Sequence, residues 1–258
     1  MTELQLLNII ITALLAMLGA CVASFINVAA LRKAEGLSFI TGRSHCPACG
    51  KTLRWYELIP IFSWLLLAGR CRACKLKISP RYLLVELIGA LAAALGFVRY
   101  GPALMTALVF AVSVLLLAVA LIDLSTMEIP NGLVIAFIPF AAAAIWVQPE
   151  VPLLARGIGF LVGSVPMLFI ALVIDGAFGG GDVKLMAICG ILLGWQNTVL
   201  ALFAAVVTAG IVSLKLILQK KAKKGAHIAF GPHLCVGTMI ALLYGTEIIT
   251  WYLSLSGL

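Results

Sequence analysis

Charge is what this chain lacks. Only 11% of its 258 residues are charged, against about 25% in a soluble domain. The shortage is lopsided, with 10 acids facing 18 Lys and Arg, and just three of the acids are aspartate: Asp123, Asp175 and Asp182. Histidine is scarce too, and His45, His227 and His233 are too scattered to form a ligand set. Strand-like alternation is missing, which removes a membrane β-barrel. No Ser-His or Cys-His arrangement offers a nucleophile, and no Gly-rich strand–helix fingerprint offers a dinucleotide-type site. What the chain does have is 63% apolar residues and a mean hydropathy of +1.16. A soluble globular protein, a disordered chain and a small disulfide-stapled secreted domain are therefore excluded. Long apolar runs satisfy their backbone in lipid as helices, so the expected fold is an all-α polytopic membrane protein.

About eight transmembrane helices are expected, over residues 6–31, 83–100, 103–122, 133–147, 153–174, 183–194, 198–218 and 232–251. The stretch 183–194 is short for a bilayer, which needs roughly 20 residues. It is kept as a crossing bordering a water-filled cavity or thinned membrane. Without it the Lys-rich segment around Lys220, Lys221, Lys223 and Lys224 would fall on the side opposite the other basic loop. The first segment is too long, and its flank too poor in basic residues, for a cleavable signal peptide. With eight crossings, sixteen of the eighteen Lys and Arg lie on one side, and only Arg99 and Arg156 on the other. The positive-inside rule makes the first side cytoplasmic and places both termini outside. The net charge of +8 is thus a topology signal and does not indicate nucleic acid.

The cytoplasmic loop 32–81 carries C-P-A-C at Cys46 and Cys49 and C-R-A-C at Cys71 and Cys74. Two CxxC knuckles at this separation can set four thiolates at the corners of a tetrahedron, the geometry of structural Zn²⁺. Arg43, Lys51, Arg70, Arg72 and Lys75 flank them and favour thiolate over thiol. Unliganded thiols or a redox pair are the alternatives; a structural disulfide does not suit a reducing compartment. Cys21, Cys189 and Cys235 stand singly in apolar helices as core filler. Between the knuckles, the apolar run 58–68 is too short to span and is broken by Pro60, so it reads as an interfacial or re-entrant piece. Glu86, just inside the next helix, either pairs with Arg81 or lines a site.

The aspartates give the second signal. Asp123 ends the third segment and Asp182 opens the sixth, and the topology brings both to the cytoplasmic face. Gly179, Gly180 and Gly181 permit unusual backbone geometry and close approach of another chain. Two carboxylates in contact share a proton at neutral pH. The charged one then serves as base toward a water while the protonated one polarises a carbonyl. Taken singly, Asp182 reads as a helix cap and Asp123 as an interfacial polar residue. Pairing on one face beside a triple glycine favours the dyad. Asp175 suits a structural loop start, and Lys184 suits holding the pair's charge or a lipid headgroup.

These residues also carry a resemblance. The chain is similar to the type IV prepilin peptidases, bifunctional leader peptidase/N-methyltransferases. The matching motifs, in order, are G-A-C-V-A-S-F-I-N-V-A-A-L-R at 19–32, the paired CxxC loop with W-Y-E-L-I-P-I-F-S-W inside it, I-S-P-R-Y-L-L-V-E at 78–86, Asp123 followed by Ile129-Pro130-Asn131, G-x-G-D-x-K at 179–184, and A-F-G-P at 229–232. Two positions depart mildly: Asn131 stands where Asp is common, and His233 follows the Phe-Gly-Pro. The resemblance implies a GxGD-type membrane aspartic protease of the bacterial cytoplasmic (inner) membrane, with Asp123 and Asp182 catalytic. It implies cleavage of the basic leader of prepilins and pseudopilins, typically after a glycine. Methylation of the exposed amino group, often that of a phenylalanine, by S-adenosylmethionine then follows. Residues 1–86 correspond to the methyltransferase-like part and 87–258 to the peptidase domain. Asn27, Arg32, Arg81 and Glu86 are the candidates for the methyl donor. The partners implied are prepilin substrates and membrane lipid. Two rivals stand beside this: a peptidase with a purely structural zinc domain, and a cation transporter using membrane carboxylates, for which no inverted repeat is visible.

Overall fold

The structure, a computed structural model, describes residues 2–36, 43–46, 48–174, 176–219 and 228–255. Asp175, His227 and the lysines at 220, 221, 223 and 224 lie outside the described residues. The chain forms two units, Met1–Thr106 and Ala107–Leu258.

The first unit is built on two helices, α1 (Glu3–Ala34) and α3 (Pro80–Tyr100). Each begins at a hydroxyl cap. Thr2 accepts the Gln5 N–H while the Gln5 side chain accepts that of Thr2, and Ser79 accepts from Arg81 ahead of Pro80. Both caps satisfy N–H groups that a helix start leaves open. The two helices run antiparallel and touch backbone to backbone at Gly19 and Gly89, where a Cβ on either would strike the other's carbonyl. Small residues at such a crossing let apolar helices associate where lipid removes the hydrophobic drive. The buried stripe of α1 is Ala20, Ala23, Asn27 and Ala30, one helical face with a single polar member. Between the helices lie a 3₁₀ turn at Trp55–Glu57 and the short α2 (Phe62–Leu66).

The second unit contains the body of α4 (Leu104–Thr126), then α5 (Asn131–Ala136), α6 (Ile138–Val147), α7 (Leu153–Val173), α8 (Gly180–Leu193), α9 (Trp195–Leu218) and α10 (Gly231–Leu255). No named strand occurs among the described residues; His45–Thr52 and Arg70–Lys77 are isolated bridges. α8 is buried over most of its surface, with Leu185, Met186, Ala187, Cys189, Leu192 and Leu193 in the core and Lys184 exposed. Its closest neighbour is α7, where Gly159 and Gly163 form a GxxxG step against the backbone of Gly190 and Met186.

Six helices, α1, α3, α4, α7, α9 and α10, are long and apolar enough to cross a membrane. The two remaining predicted segments are shorter. The fourth is the pair α5 and α6, interrupted at Phe137 ahead of Pro139. The sixth is α8, whose 14 residues rise about 21 Å. Arg156, expected only as a charge on the side opposite the basic loops, is not a surface charge. It is 2% exposed in the first turn of α7. Its guanidinium donates to the carbonyls of Ile191 and Leu192 at 3.0 Å and to those of Ala144 and Gln148 at 2.8 and 2.9 Å. One side chain thus closes the carbonyl ends of α6 and α8, which a helix leaves without partners.

Candidate active site and thiolate cluster

Asp123 lies in the last turn of α4 and Asp182 in the first turn of α8. Both are buried, 5% and 8% exposed. Each is held by a backbone amide from a glycine. Gly231, first residue of α10, donates its N–H to Asp123 Oδ2 at 3.0 Å. Gly179 donates to Asp182 Oδ2 at 3.0 Å, so Asp182 reaches back over its own helix start from the third helical position and is not the cap residue itself. The field of Asp123 reaches Asp182, and both reach the buried thiol of Cys235. Oδ1 of Asp182 is buried with no hydrogen-bond partner. A buried carboxylate oxygen without a donor is costly, and at a cleavage site it is the oxygen left for water or a peptide group.

The glycines act through space and not through dihedral freedom. None of Gly179, Gly180 and Gly181 has positive φ. A Cβ on Gly181 would sit 2.8 Å from Cβ of Ile129, so the chain that approaches closely is the protein's own turn after α4. A Cβ on Gly180 would meet nothing within 4 Å. Gly231 has the tightest demand: a Cβ there would fall 2.6 Å from Asp123 Oδ2. Ahead of these holding glycines stand Phe178 and Phe230, whose rings pack at 5.0 Å between centroids. The circuit Asp123–Gly231–Phe230–Phe178–Gly179–Asp182 is therefore closed by one aromatic contact. Sequence reading weighed the Phe-Gly pairs only as motif letters; their repetition ahead of both glycines was the available signal. Lys184 donates to Asn131 Oδ1 at 3.0 Å, tying α8 to the start of α5.

In the first unit, the sulfurs of Cys46, Cys49, Cys71 and Cys74 all lie within 4.8 Å of one another, with Cys46 and Cys74 at 3.9 Å. Tetrahedral Zn²⁺ with Zn–S of about 2.3 Å requires sulfur–sulfur edges of about 3.8 Å, so the donor set fits that ion. The two knuckles repeat one turn. The N–H groups of Cys46 and Cys71 donate to the carbonyls of Lys51 and Leu76, and their own carbonyls accept from the N–H groups of Gly50 and Lys75. Gly50 and Lys75 both have positive φ, 67° and 59°. Backbone N–H groups of Cys74 and Ala73 draw the Cys71 thiol down to about 7, the thiolate form a metal needs. Leu76 N–H favours the Cys74 thiolate, but burial and hydrogen bonds with the other three sulfurs outweigh it and push that thiol up to about 11. Crowding of four sulfurs produces that opposition, and a divalent cation among them would reverse it.

The four predicted methyl-donor residues are divided. Glu86 is 7% exposed; its Oε1 accepts from the Ser24 hydroxyl at 2.8 Å and its Oε2 from Ile61 N–H at 2.7 Å. Asn27, fully buried one turn beyond Ser24, leaves both amide atoms without a partner. These two occupy the facing stripes of α1 and α3. Arg32 and Arg81 sit at the loop-side helix ends, where Arg32 Nη2 donates to Arg43 O at 3.4 Å.

Residues 17–100 match the family model described as the Bacterial Peptidase A24 N-terminal domain, and residues 108–214 that of the Type IV leader peptidase family. Three relatives carry the name prepilin leader peptidase/N-methyltransferase. That of Bacillus subtilis (strain 168) is 36% identical over 246 residues, covering 95% of this chain and 98% of the relative. That of Aeromonas salmonicida (strain A449) is 35% identical over 85% of this chain and 77% of its own length. That of Pseudomonas aeruginosa is 31% identical over 93% of each. No solved structure matches the chain.

Proposed function

Because the chain belongs to the type IV leader peptidase family, we propose that it cleaves the leader from prepilin-like substrates and methylates the amino group so exposed. The observation that carries the first half is the pair of buried carboxylates, each fixed by a glycine N–H, with Asp182 Oδ1 left unpartnered. In this reading one aspartate takes a proton from water, whose oxygen attacks the scissile carbonyl. The other, protonated, donates to the carbonyl oxygen. Collapse of the tetrahedral intermediate breaks the C–N bond, and the departing nitrogen takes a proton from the dyad. Helix ends and backbone amides hold both carboxylates.

The membrane setting follows from charge. α8 and α9 turn at Gly194, so α9 returns to the end of the unit where the aspartates lie, and Lys215 falls there. By the positive-inside rule that end is cytoplasmic, in the inner membrane of a bacterium. A prepilin, with a basic leader ahead of an apolar helix, presents its scissile bond at that boundary. The loop of the first unit is cytoplasmic on the same ground, with ten Lys and Arg from Arg32 to Arg81.

The second half rests on the first unit. Cys46, Cys49, Cys71 and Cys74 would hold a structural Zn²⁺, which fixes the loop between α1 and α3. S-adenosylmethionine, when bound, supplies a methyl group on sulfonium. Asn27 and Glu86 are the residues that would face it or the substrate amine, and the support is the orphaned Asn27 amide beside a buried carboxylate. Arg32 and Arg81 would hold its carboxylate from the helix ends.

The test is a purified-protein assay with a synthetic prepilin segment and S-adenosylmethionine, followed by mass spectrometry. The expected product lacks the leader and carries one methyl on its new N-terminus. Asp123→Asn and Asp182→Asn should each lower cleavage by at least about 10²-fold, the scale of a lost general acid or base, while the protein stays in the membrane. Wild-type cleavage by either variant overturns the mechanism. A cleaved but unmethylated product overturns the second half alone.

A further inference from the structure

The loop of the first unit holds features that neither thiolate chemistry nor peptide cleavage uses. Arg54 and Arg72 converge on one tyrosine. Nη1 of each donates to the Tyr56 hydroxyl at 3.0 Å, and their guanidinium carbons lie 6.0 and 5.4 Å from its ring centroid. Attraction to the ring accommodates the two cations, yet two guanidiniums on one oxygen repel each other. Neither meets a carboxylate among the described residues; Glu57 is taken by the backbone N–H of Arg54 at 2.8 Å. From Arg43 to Arg81 the sequence has eight Lys and Arg against that single acid. Two guanidinium forks gathered without an anion form a place for a phosphate group, which accepts from several forks at once.

Directly beside this cluster the surface turns apolar. Trp55, Leu58, Ile59, Phe62, Leu65 and Leu66 are all exposed, Trp55 by 78% and Leu66 by 85%. Their depth is fixed by a tertiary bond. Ile61 donates its N–H to Glu86, in the second turn of α3, about 9 Å along a helix that crosses the membrane. Ile61 has φ 65° and ψ −57°, with the Phe62 N–H closing on the Pro60 carbonyl. A β-branched residue takes this tight γ-turn only under constraint, and the buried Glu86 supplies it. The apolar edge is therefore pinned at the level where headgroups give way to acyl chains, the depth at which Trp collects in membrane proteins. The basic pair is attached immediately beside it.

We propose that this edge binds an anionic phospholipid, with its phosphate against Arg54 and Arg72 beside Tyr56 and its acyl chains along Trp55, Phe62 and Leu66. The lipid would complete the arginine pair and fasten the thiolate-bearing loop to the membrane surface.

Native mass spectrometry of the full-length protein, released gently from detergent with phosphatidylglycerol or phosphatidylcholine, tests this. Wild type should retain phosphatidylglycerol in preference to phosphatidylcholine. The double variant Arg54→Gln/Arg72→Gln should lose at least tenfold of that occupancy, while Lys51→Gln/Lys77→Gln, removing the same charge nearby, should keep it. Equal retention by wild type and the arginine variant overturns the site, as does equal loss in both double variants. If the arginine variant does not fold, Tyr56→Phe decides: it keeps both charges and removes the oxygen that gathers them. Severalfold weaker retention supports the site and unchanged retention overturns it. Displacement of the lipid by millimolar inorganic phosphate alone would reassign the site to free phosphate and overturn the lipid. Fluorescence quenching by brominated phosphatidylcholine in nanodiscs checks the apolar half: Trp55→Phe should remove a quenched component, and identical quenching in that variant overturns insertion.

Discussion

Among the described acids, Asp123 and Asp182 are set apart by what holds them. Each accepts a glycine N–H, and the space for that bond exists because the donor has no Cβ. Gly231→Ala should therefore cost at least about 10²-fold in leader cleavage, the scale of disturbing a positioned catalytic group, since the new methyl falls on Asp123 Oδ2. Gly180→Ala, with open space around it, should leave cleavage near wild type and slightly raise helix stability. Equal effects of the two, in the same cleavage assay, would contradict the steric account. Phe178→Ala should lower kcat more than it raises KM, because the ring joins the two holding segments. The double change with Phe230→Ala should be little worse than the poorer single one, as for residues acting as one unit. Additive losses would separate them.

Among the elements, α8 is the one that lipid does not explain. It is short for a span and buried over most of its surface, so its placement depends on neighbours. Two devices supply that: the glycine step of α7, and Arg156 across the carbonyl ends of α6 and α8. Arg156→Ala leaves up to four buried carbonyls unpaired at about 1–3 kcal/mol for each that water cannot reach. The unfolding temperature in detergent should fall markedly, with Arg156→Lys intermediate; an unchanged midpoint would make the clamp incidental. The loop between α1 and α3 is the opposite case, with little core of its own and two repeated turns around four sulfurs. Purified protein should contain about one zinc per chain. Cys46→Ser or Cys71→Ser should lose most of it and make the loop readily cleaved by added protease; metal content near zero in reduced wild type would dismiss the ion.

At the scale of the molecule, the two proposed activities fall on separate units, and their failures should separate too. Asp182→Asn should still methylate a peptide that already lacks its leader, because Asn27 and Glu86 lie in the first unit and are untouched. Asn27→Ala should cleave normally and leave the product unmethylated. Mass spectrometry of both products reads each outcome, and joint loss of both activities in either variant would argue for one shared site.

The sequence by itself determined the class, the eight apolar segments within a few residues of their observed helices, and the four cysteines that cluster. These follow from composition, apolar length and local spacing, which need no knowledge of distant contacts. That Asp123 closes one apolar helix and Asp182 opens another was legible too, because each stands at the edge of an apolar run. Only the tertiary structure decided what the aspartates hold on to. Gly231 lies 108 positions from Asp123, and that hydrogen bond is invisible in any local pattern. The same holds for Arg156, which its place in the sequence marks only as a charge opposite the basic loops and which the structure makes a buried clamp. Glu86 was legible as an out-of-place acid, but not as the group that bends Ile61. Long-range hydrogen bonds are set by packing of helices far apart in the chain, and periodicity records only which face packs, not against what.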